Sequence, residues 1–274
     1  MHAYRGQLYS PWRPAGSRSK AYDLILYTLL MAAGLALILL GAERLGYHWQ
    51  WYRIPRHLVT RDGTLIIPGP LLKGLMVTFH ITAISLVAAN AIGLITALFR
   101  VSGSLAARTL SRAYLEFFRN TPLLTQLLFI YFVIAPVFKL SAFTSAVLGL
   151  SLFEGAYISE IIRSGIVSIH KGQWEASSSL GLSTFQTYVH VILPQALRRV
   201  LPPLTSQAIS LIKDSSLVSV IAIYDLTMRA EVIVSETFLT FEIWFTVAAI
   251  YLIIAALLST GAHMLEVRLK GKFA

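Results

Sequence analysis

Cysteine is absent from these 274 residues, so disulfides and thiolate metal sites are excluded and nothing indicates a redox compartment. Charge is scarce as well: Asp, Glu, Lys and Arg make up 13% of the chain, against about a quarter in soluble domains. The usual signatures of catalysis are missing. There is no H-E-x-x-H, no G-x-S-x-G, and the seven histidines are scattered without metal-ligand spacing. A G-x-x-x-x-G-K-[ST] loop is also absent, which excludes ATP binding through that motif.

What is present is apolar. Hydrophobic residues reach 56% and mean hydropathy is +0.67, the composition of an integral membrane protein. The net charge of +10 does not point to nucleic acid, because the basic residues gather in loops beside apolar segments, where membrane orientation places them.

Residues 1–23 form a basic arm with Arg5, Arg13, Arg18 and Lys20. Residues 24–42 hold no formal charge, and 19 residues rising about 1.5 Å each approach the roughly 30 Å of hydrocarbon. A retained anchor fits this better than a cleaved signal peptide, whose apolar core is shorter and ends in a small-residue site. Residues 43–73 are mixed, with Tyr47, Trp49, Trp51 and Tyr52 as an interfacial belt. Further spans are expected at 74–99, 120–138, 140–162, 200–224 and 243–265, and Thr78, Ser85 and Asn90 are expected to face protein. Six spans with both termini inside put 14 of the 23 basic residues in the cytoplasm and 7 outside, five of these in residues 43–73. The expected fold is thus all-α and polytopic, with a cytoplasmic tail at 266–274.

Several polar groups lie at membrane depth. Arg119-Asn120-Thr121-Pro122 opens the third span, and Pro122 steers Thr121 away from the α region, which predicts a break or a helix start. Arg119 either snorkels from a capped entry or lines a pathway. In the fourth span Glu154, Tyr157 and Glu160 step by three, so Tyr157 neighbours both carboxylates, which could hold an ammonium group. Glu160 can equally pair with Arg163 in a structural ion pair, which leaves Glu154 unexplained. Lys213 and Asp214 are adjacent and do not face each other on a helix. Either each has its own partner or the helix unwinds at Ser215 and Ser216, as in transporters that bind polar solutes at broken helices.

The run Gly172–Pro194 is the long amphipathic interruption of the second half. Glu175 to Leu180 read as a helix, Gly181 can stop it in the left-handed conformation, and Ser183 with Gln186 forms a capping box that starts the next. Phe185, Tyr188, Val189 and Ile192 then make one apolar stripe.

These motifs together resemble the permease subunits of ATP-binding-cassette importers, in the polar amino acid uptake branch of the histidine/glutamine/glutamate type. The resemblance rests on Arg119-Asn120-Thr121-Pro122-Leu123, Ala156-Tyr157-Ile158-Ser159-Glu160-Ile161-Ile162-Arg163 and Lys213-Asp214-Ser215-Ser216-Leu217. It rests further on an EAA-type loop, Gln173-Trp174-Glu175-Ala176, Leu180-Gly181-Leu182-Ser183 and Ile192-Leu193-Pro194-Gln195-Ala196-Leu197-Arg198. It covers roughly Gly74 to the C-terminus. Ser177 replaces the family's usual second alanine, a small-for-small change, and residues 24–73 look like an N-terminal addition whose role the resemblance does not supply.

The resemblance implies a five-helix type I importer core over 74–265, plus one N-terminal helix, in the bacterial inner membrane. It implies a substrate pathway carried by Arg119, Asn120, Thr121, Gln126, Glu154, Tyr157, Glu160, Lys213, Asp214, Ser215 and Ser216. The coupling loop at 166–197 would meet an ATPase through Gln173, Trp174, Glu175, Ala176, Ser177, Leu180, Gly181, Leu182 and Ser183, while Phe185 to Ile192 pack on the chain's own spans. Implied partners are ATP-binding-cassette ATPase subunits holding ATP and Mg, an extracytoplasmic amino-acid-binding protein, a second permease subunit and membrane lipid, with no nucleic acid. This chain itself would hold no cofactor or metal and would not be an enzyme. The alternative from another class is a secondary transporter or channel driven by an ion gradient.

Overall fold

The computed structural model describes residues 20–44, 46–62 and 65–271, so most of the basic arm and the last three residues of the tail lie outside the described residues. The chain divides into residues 1–49 and residues 50–274. In the first unit, α1 (Lys20–Arg44) is one uninterrupted helix over the expected first span, and the ring of Tyr47 stands edge-on to Trp49 at 5.2 Å.

The second unit opens with a 3₁₀ turn (Trp51–Arg53), α2 (Pro55–Leu58) and an antiparallel hairpin of β1 (Val59–Asp62) and β2 (Leu65–Pro68), with Thr60 opposite Ile67. The all-α expectation holds apart from this hairpin. Then α3 (Pro70–Val101) crosses, starting at a proline whose missing N–H costs nothing in a first turn. α4 (Leu105–Asn120) follows, capped by the Ser104 hydroxyl.

Extended backbone at Thr121 and Pro122 turns the chain by 106° into α5 (Leu123–Phe129), a π-helical turn (Ile130–Ile134) and α6 (Ala135–Phe138). α7 (Ala142–Val167) returns, and α8 (Lys171–Ser179) and α9 (Thr184–Thr187) form the loop. A second π-helical turn (Tyr188–Ile192) leads into α10 (Leu193–Asp214), which tightens to 3₁₀ over Ser215–Ile221. α11 (Leu226–Thr237) and α12 (Thr240–Gly271) complete the chain.

Both π-helical turns have the same cause. Pro136 and Pro194 each lie two residues beyond the turn, lack the N–H an α-helix would donate, and crowd the carbonyl four residues back. Widening the helix by one residue relieves the clash, and the N–H groups of Ala135 and Leu193 reach back to Ile130 and Tyr188 instead.

Among the described residues α3, α7 and α12 are long and apolar enough to cross a membrane singly, and α4 with residues 123–138 adds a bent fourth. The expected span 200–224 falls on the second half of α10, which carries Pro202 and Pro203 within an unbroken helix, and on the 3₁₀ stretch that follows it, so it is not one apolar α-helix. α3 and α7 pack closely because both are small at the crossing. A Cβ on Gly93 would fall 2.5 Å from Ile158, and one on Gly155 2.9 Å from Ile92. The central core gathers Ile81, Leu127, Leu150, Leu211 and Ile221 around this pair. A second cluster ties Ile54 and Leu71 to Leu226, Ile233 and Ile243, with Leu58 packed against it, so the 3₁₀ turn and α2 are anchored on one end of the bundle. Thr78 and Ser85 are buried, as expected of protein-facing groups, and Asn90 is half-buried.

Candidate translocation path and coupling loop

Glu154 stands 12 residues into α7, which at 1.5 Å per residue is about 18 Å along a span of roughly 30 Å. It is completely buried. Its Oε2 accepts from Gln207 on α10 at 2.6 Å, the Asp214 carboxyl lies close enough to interact with it, and its Oε1 meets no well-formed hydrogen-bond donor among the described residues. A carboxyl group at this depth with an open hydrogen-bond position is costly to keep in a structural role alone.

Glu160, six residues and about 9 Å further along α7, has a different environment. Its Oε2 accepts from Arg100 at the end of α3, its Oε1 accepts from Arg163 at 2.6 Å, and Arg119 stands 4.0 Å away. The i, i+3 pair with Arg163 is present. The notion of Glu154 and Glu160 holding one ammonium around Tyr157 is corrected, because arginines occupy both oxygens of Glu160 and surround it with three positive charges. Tyr157 instead packs on Phe153 and lies under the Arg119 guanidinium at 5.4 Å.

The break expected at Thr121-Pro122 is the 106° elbow between α4 and α5. Gln126 holds it closed: its amide donates to the carbonyls of Phe118 and Thr121 and to the Thr121 hydroxyl, at 2.7–3.0 Å. Asn120 donates to Glu116 across one helical turn. Near 213–216 the helix does change character, from α to 3₁₀ after Asp214. Lys213 is exposed, Asp214 half-buried and Ser215 fully buried, with the Ser215 hydroxyl returned to the Ile212 carbonyl.

The loop follows the expected local rules. Gly181 has φ +73° and ends α8, and Ser183 with Gln186 forms both bonds of the capping box. Ser177 is buried and returns its hydroxyl to the Gln173 carbonyl, so the exchange for alanine leaves no unpaired group. Trp174 meets Tyr188 edge-on at 5.1 Å above Ile166, Ile169 and Ile192. Gln173, Glu175, Ala176, Leu180 and Ser183 are exposed and Leu182 is half-buried. The expectation that Phe185 to Ile192 pack inward is corrected in part. The π-helical turn rotates the stripe, so Ile192 is buried while Phe185 is 75% exposed, and Leu180 at the end of α8 is 80% exposed.

Two important groups escaped sequence reasoning. Gln207 lies seven residues before Asp214, two helical turns and so the same face, which was a usable signal. Arg100 reads only as a span terminus, and nothing local ties it to a carboxylate 60 residues away.

A helical bundle with buried polar groups along its interior, and a helix pair exposing apolar side chains outside the bundle, defines a solute permease that takes a partner. Residues 89–271 match the family described as binding-protein-dependent transport system inner membrane component. The chain is 41% identical over 203 residues to the glutamine transport system permease protein GlnP of Escherichia coli, covering 73% of this chain and 93% of that one. It is 42% identical over 219 residues to the L-cystine transport system permease protein TcyB of Bacillus subtilis, covering 79% and 92%. A crystal structure of an amino acid ABC transporter with histidines superposes with a TM-score of 0.69 at 36% identity, covering 73% of this chain and 94% of that one. The MetNI methionine ABC transporter, inward facing, shares the fold at 0.64 with 20% identity.

This chain belongs to the binding-protein-dependent inner membrane permease family. It is a membrane-spanning permease subunit of an ABC importer, a transport component and not an enzyme, multi-pass in the inner membrane. Such a subunit works with ATPase and substrate-binding partners, and the gradient-driven alternative is set aside.

Proposed function

We propose that this permease imports amino acids, with Glu154, Asp214 and Ser215 forming the mid-depth part of the path together with Gln207. The observation that carries this reading is the fully buried Glu154, which lies beside a second carboxyl where α10 gives way to 3₁₀. The two acids receive the ammonium end, and Lys213 or the backbone at Ser215 and Ser216 receives the carboxylate end. Arg119, Asn120, Thr121 and Tyr157 line the way inward, with Gln126 and Glu160 holding that wall in shape. The names of the similar permeases support an amino acid as cargo.

The working assembly pairs this chain with a second permease copy or a sister permease, two ATPase subunits holding ATP and Mg, and an external amino-acid-binding protein. Both termini face the cytoplasm. The helix around Glu175 and the exposed Leu180 enter the ATPase, whose closure shifts the spans between inward-open and outward-open arrangements. Residues 74–265 carry the transport core with the coupling loop at 166–197. Uptake by vesicles containing permease, ATPase and binding protein, begun with L-glutamine, tests the reading. ATP-dependent accumulation that falls in Glu154→Gln is expected; ATP hydrolysis without uptake of any amino acid tried overturns it.

A further inference from the structure

Between α4 and α7, inward of Glu154, lies a cavity of about 220 Å³ lined by Leu115, Glu116, Arg119, Asn120 and Tyr157. We propose that it is a second solute site, where Arg119 holds the carboxylate and Glu116 the ammonium of an amino acid leaving the mid-depth site. The proposal rests on the reading that the cargo is an amino acid.

The charges in the wall are placed for that task. Both oxygens of Glu160 go to Arg100 and Arg163, and at 4.0 Å Arg119 is outside hydrogen-bond range of it, so Arg119 adds a surplus cation. Three guanidinium groups around one carboxylate give this wall a positive field that attracts an anion. Arg119 is held by its stack on Tyr157, which fixes the group without spending its in-plane donors.

Glu116 lies three residues before Arg119 and so shares its side of α4. One of its oxygens accepts from Asn120 at 2.7 Å, which orients the carboxylate and leaves the other for a further donor. An acid and a base one helical turn apart match a zwitterion whose two charges sit on one carbon. A lone anion would find Glu116 repulsive, and a lone cation would meet the arginines. The cavity is smaller than the roughly 300–1,000 Å³ of drug-sized pockets and opens on the side of Glu116, Arg119 and Asn120, with buried Leu115 as an apolar floor, which suits a small amino acid.

The absence of cysteine in this chain allows a direct test. In the assembled complex, Asn120→Cys reports from the cavity rim and Phe185→Cys from the remote loop, and maleimide labelling of this chain is timed. Glycine, the minimal zwitterion, and L-glutamine are the probes; acetate and methylammonium carry one charge each. At ten times its dissociation constant a zwitterion that covers the reporter slows labelling about tenfold. The single-charge probes leave the rate unchanged, the Phe185→Cys rate does not move, and Arg119→Gln or Glu116→Gln removes the protection. Because Asn120→Cys removes the bond that orients Glu116, Thr121→Cys serves as a second reporter. No protection at either position by glycine or glutamine, or equal protection by acetate, overturns the proposal. Uptake that succeeds without this protection rejects the second site and leaves amino acid import standing; protection without uptake separates the two the other way.

Discussion

Replacing Glu160 by glutamine keeps the shape of the side chain and removes the one negative charge among Arg100, Arg119 and Arg163. Breaking a fully buried pair costs about 3–5 kcal/mol, whereas an exposed pair contributes only about 0.2–1 kcal/mol. The four side chains are 19–42% exposed, between these limits, so a loss of about 1–3 kcal/mol is expected. Unfolding in detergent micelles measures it, and double-mutant cycles divide it. The Arg100 pair joins α3 to α7 and should show a coupling of about 1–2 kcal/mol, against about 0.3–0.5 kcal/mol for the same-helix Arg163 pair. The sign is the sharper test. Arg100→Gln should destabilise the native chain, yet be neutral or stabilising once Glu160→Gln has turned attraction into repulsion among the arginines. A destabilisation of equal size in both backgrounds would refute the idea that Glu160 organises the cluster.

Gly165→Ala should cost about 1–3 kcal/mol, because its Cβ runs into the Val200 side chain on α10, and Val200→Ala should restore most of the loss in the same unfolding assay. Gly181→Val places a β-branched residue at φ +73° where no atom lies within 4 Å, so the strain is all in the backbone, about 1–2 kcal/mol at the tip of the loop. That variant and Glu175→Arg should lose ATPase in co-purification while remaining inserted; normal co-purification refutes the docking assignment. His57, outside the spans, is held below its ordinary value of 6.5 by burial and by Arg56 and Arg53. The fold binds this proton less readily than the unfolded chain does, so the packing around His57 is held above pH 6.5 and weakens as pH falls below that value. Proteolysis of the hairpin should rise between pH 7 and pH 5 in the native chain, and His57→Phe should flatten that profile.

Local rules were legible in the sequence and distant partnerships were not. The elbow at Thr121-Pro122, the left-handed Gly181 and the Ser183–Gln186 box each depend on residues within a few positions, and all three are present. The long uncharged runs read directly as α3 and α12, and the apolar stretch around Glu154 and Glu160 as α7. What failed was placing Phe185 on the same face as Ile192, because a plain 3.6-residue period ignores the extra residue that Pro194 forces into the turn between them. The same proline spacing at Pro136 was equally readable. The hairpin at 59–68 lacks the strict alternation of a half-buried strand, so no period marked it. The Arg100–Glu160 and Gln207–Glu154 bonds span 60 and 53 residues and follow from the packing of α3, α7 and α10, which one sequence does not specify.

The loop is fastened to both helices that build the mid-depth site, and this restricts how a push on its tip can act there. Arg199 on α10 donates to the Ser168 carbonyl at 2.5 Å, Gln195 donates to Gln173 at 3.1 Å, and Ile166, Ile169, Ile192 and Ala196 share one buried cluster. At this end α7 and α10 cannot part without opening that cluster. Glu154 rides on α7 and Gln207 and Asp214 on α10, so loop, Glu154 and Asp214 should move as one body. Relative motion is left to the elbow at Thr121-Pro122 and to the 3₁₀ segment after Asp214. A short bifunctional maleimide joining Gln173→Cys to Gln195→Cys separates this from a hinge within the loop. Rigid-body transmission predicts that the cross-linked complex keeps uptake and its coupled ATP hydrolysis. Hydrolysis retained with uptake abolished would mean that the loop and α10 must separate in each cycle, and the single-body account would fail.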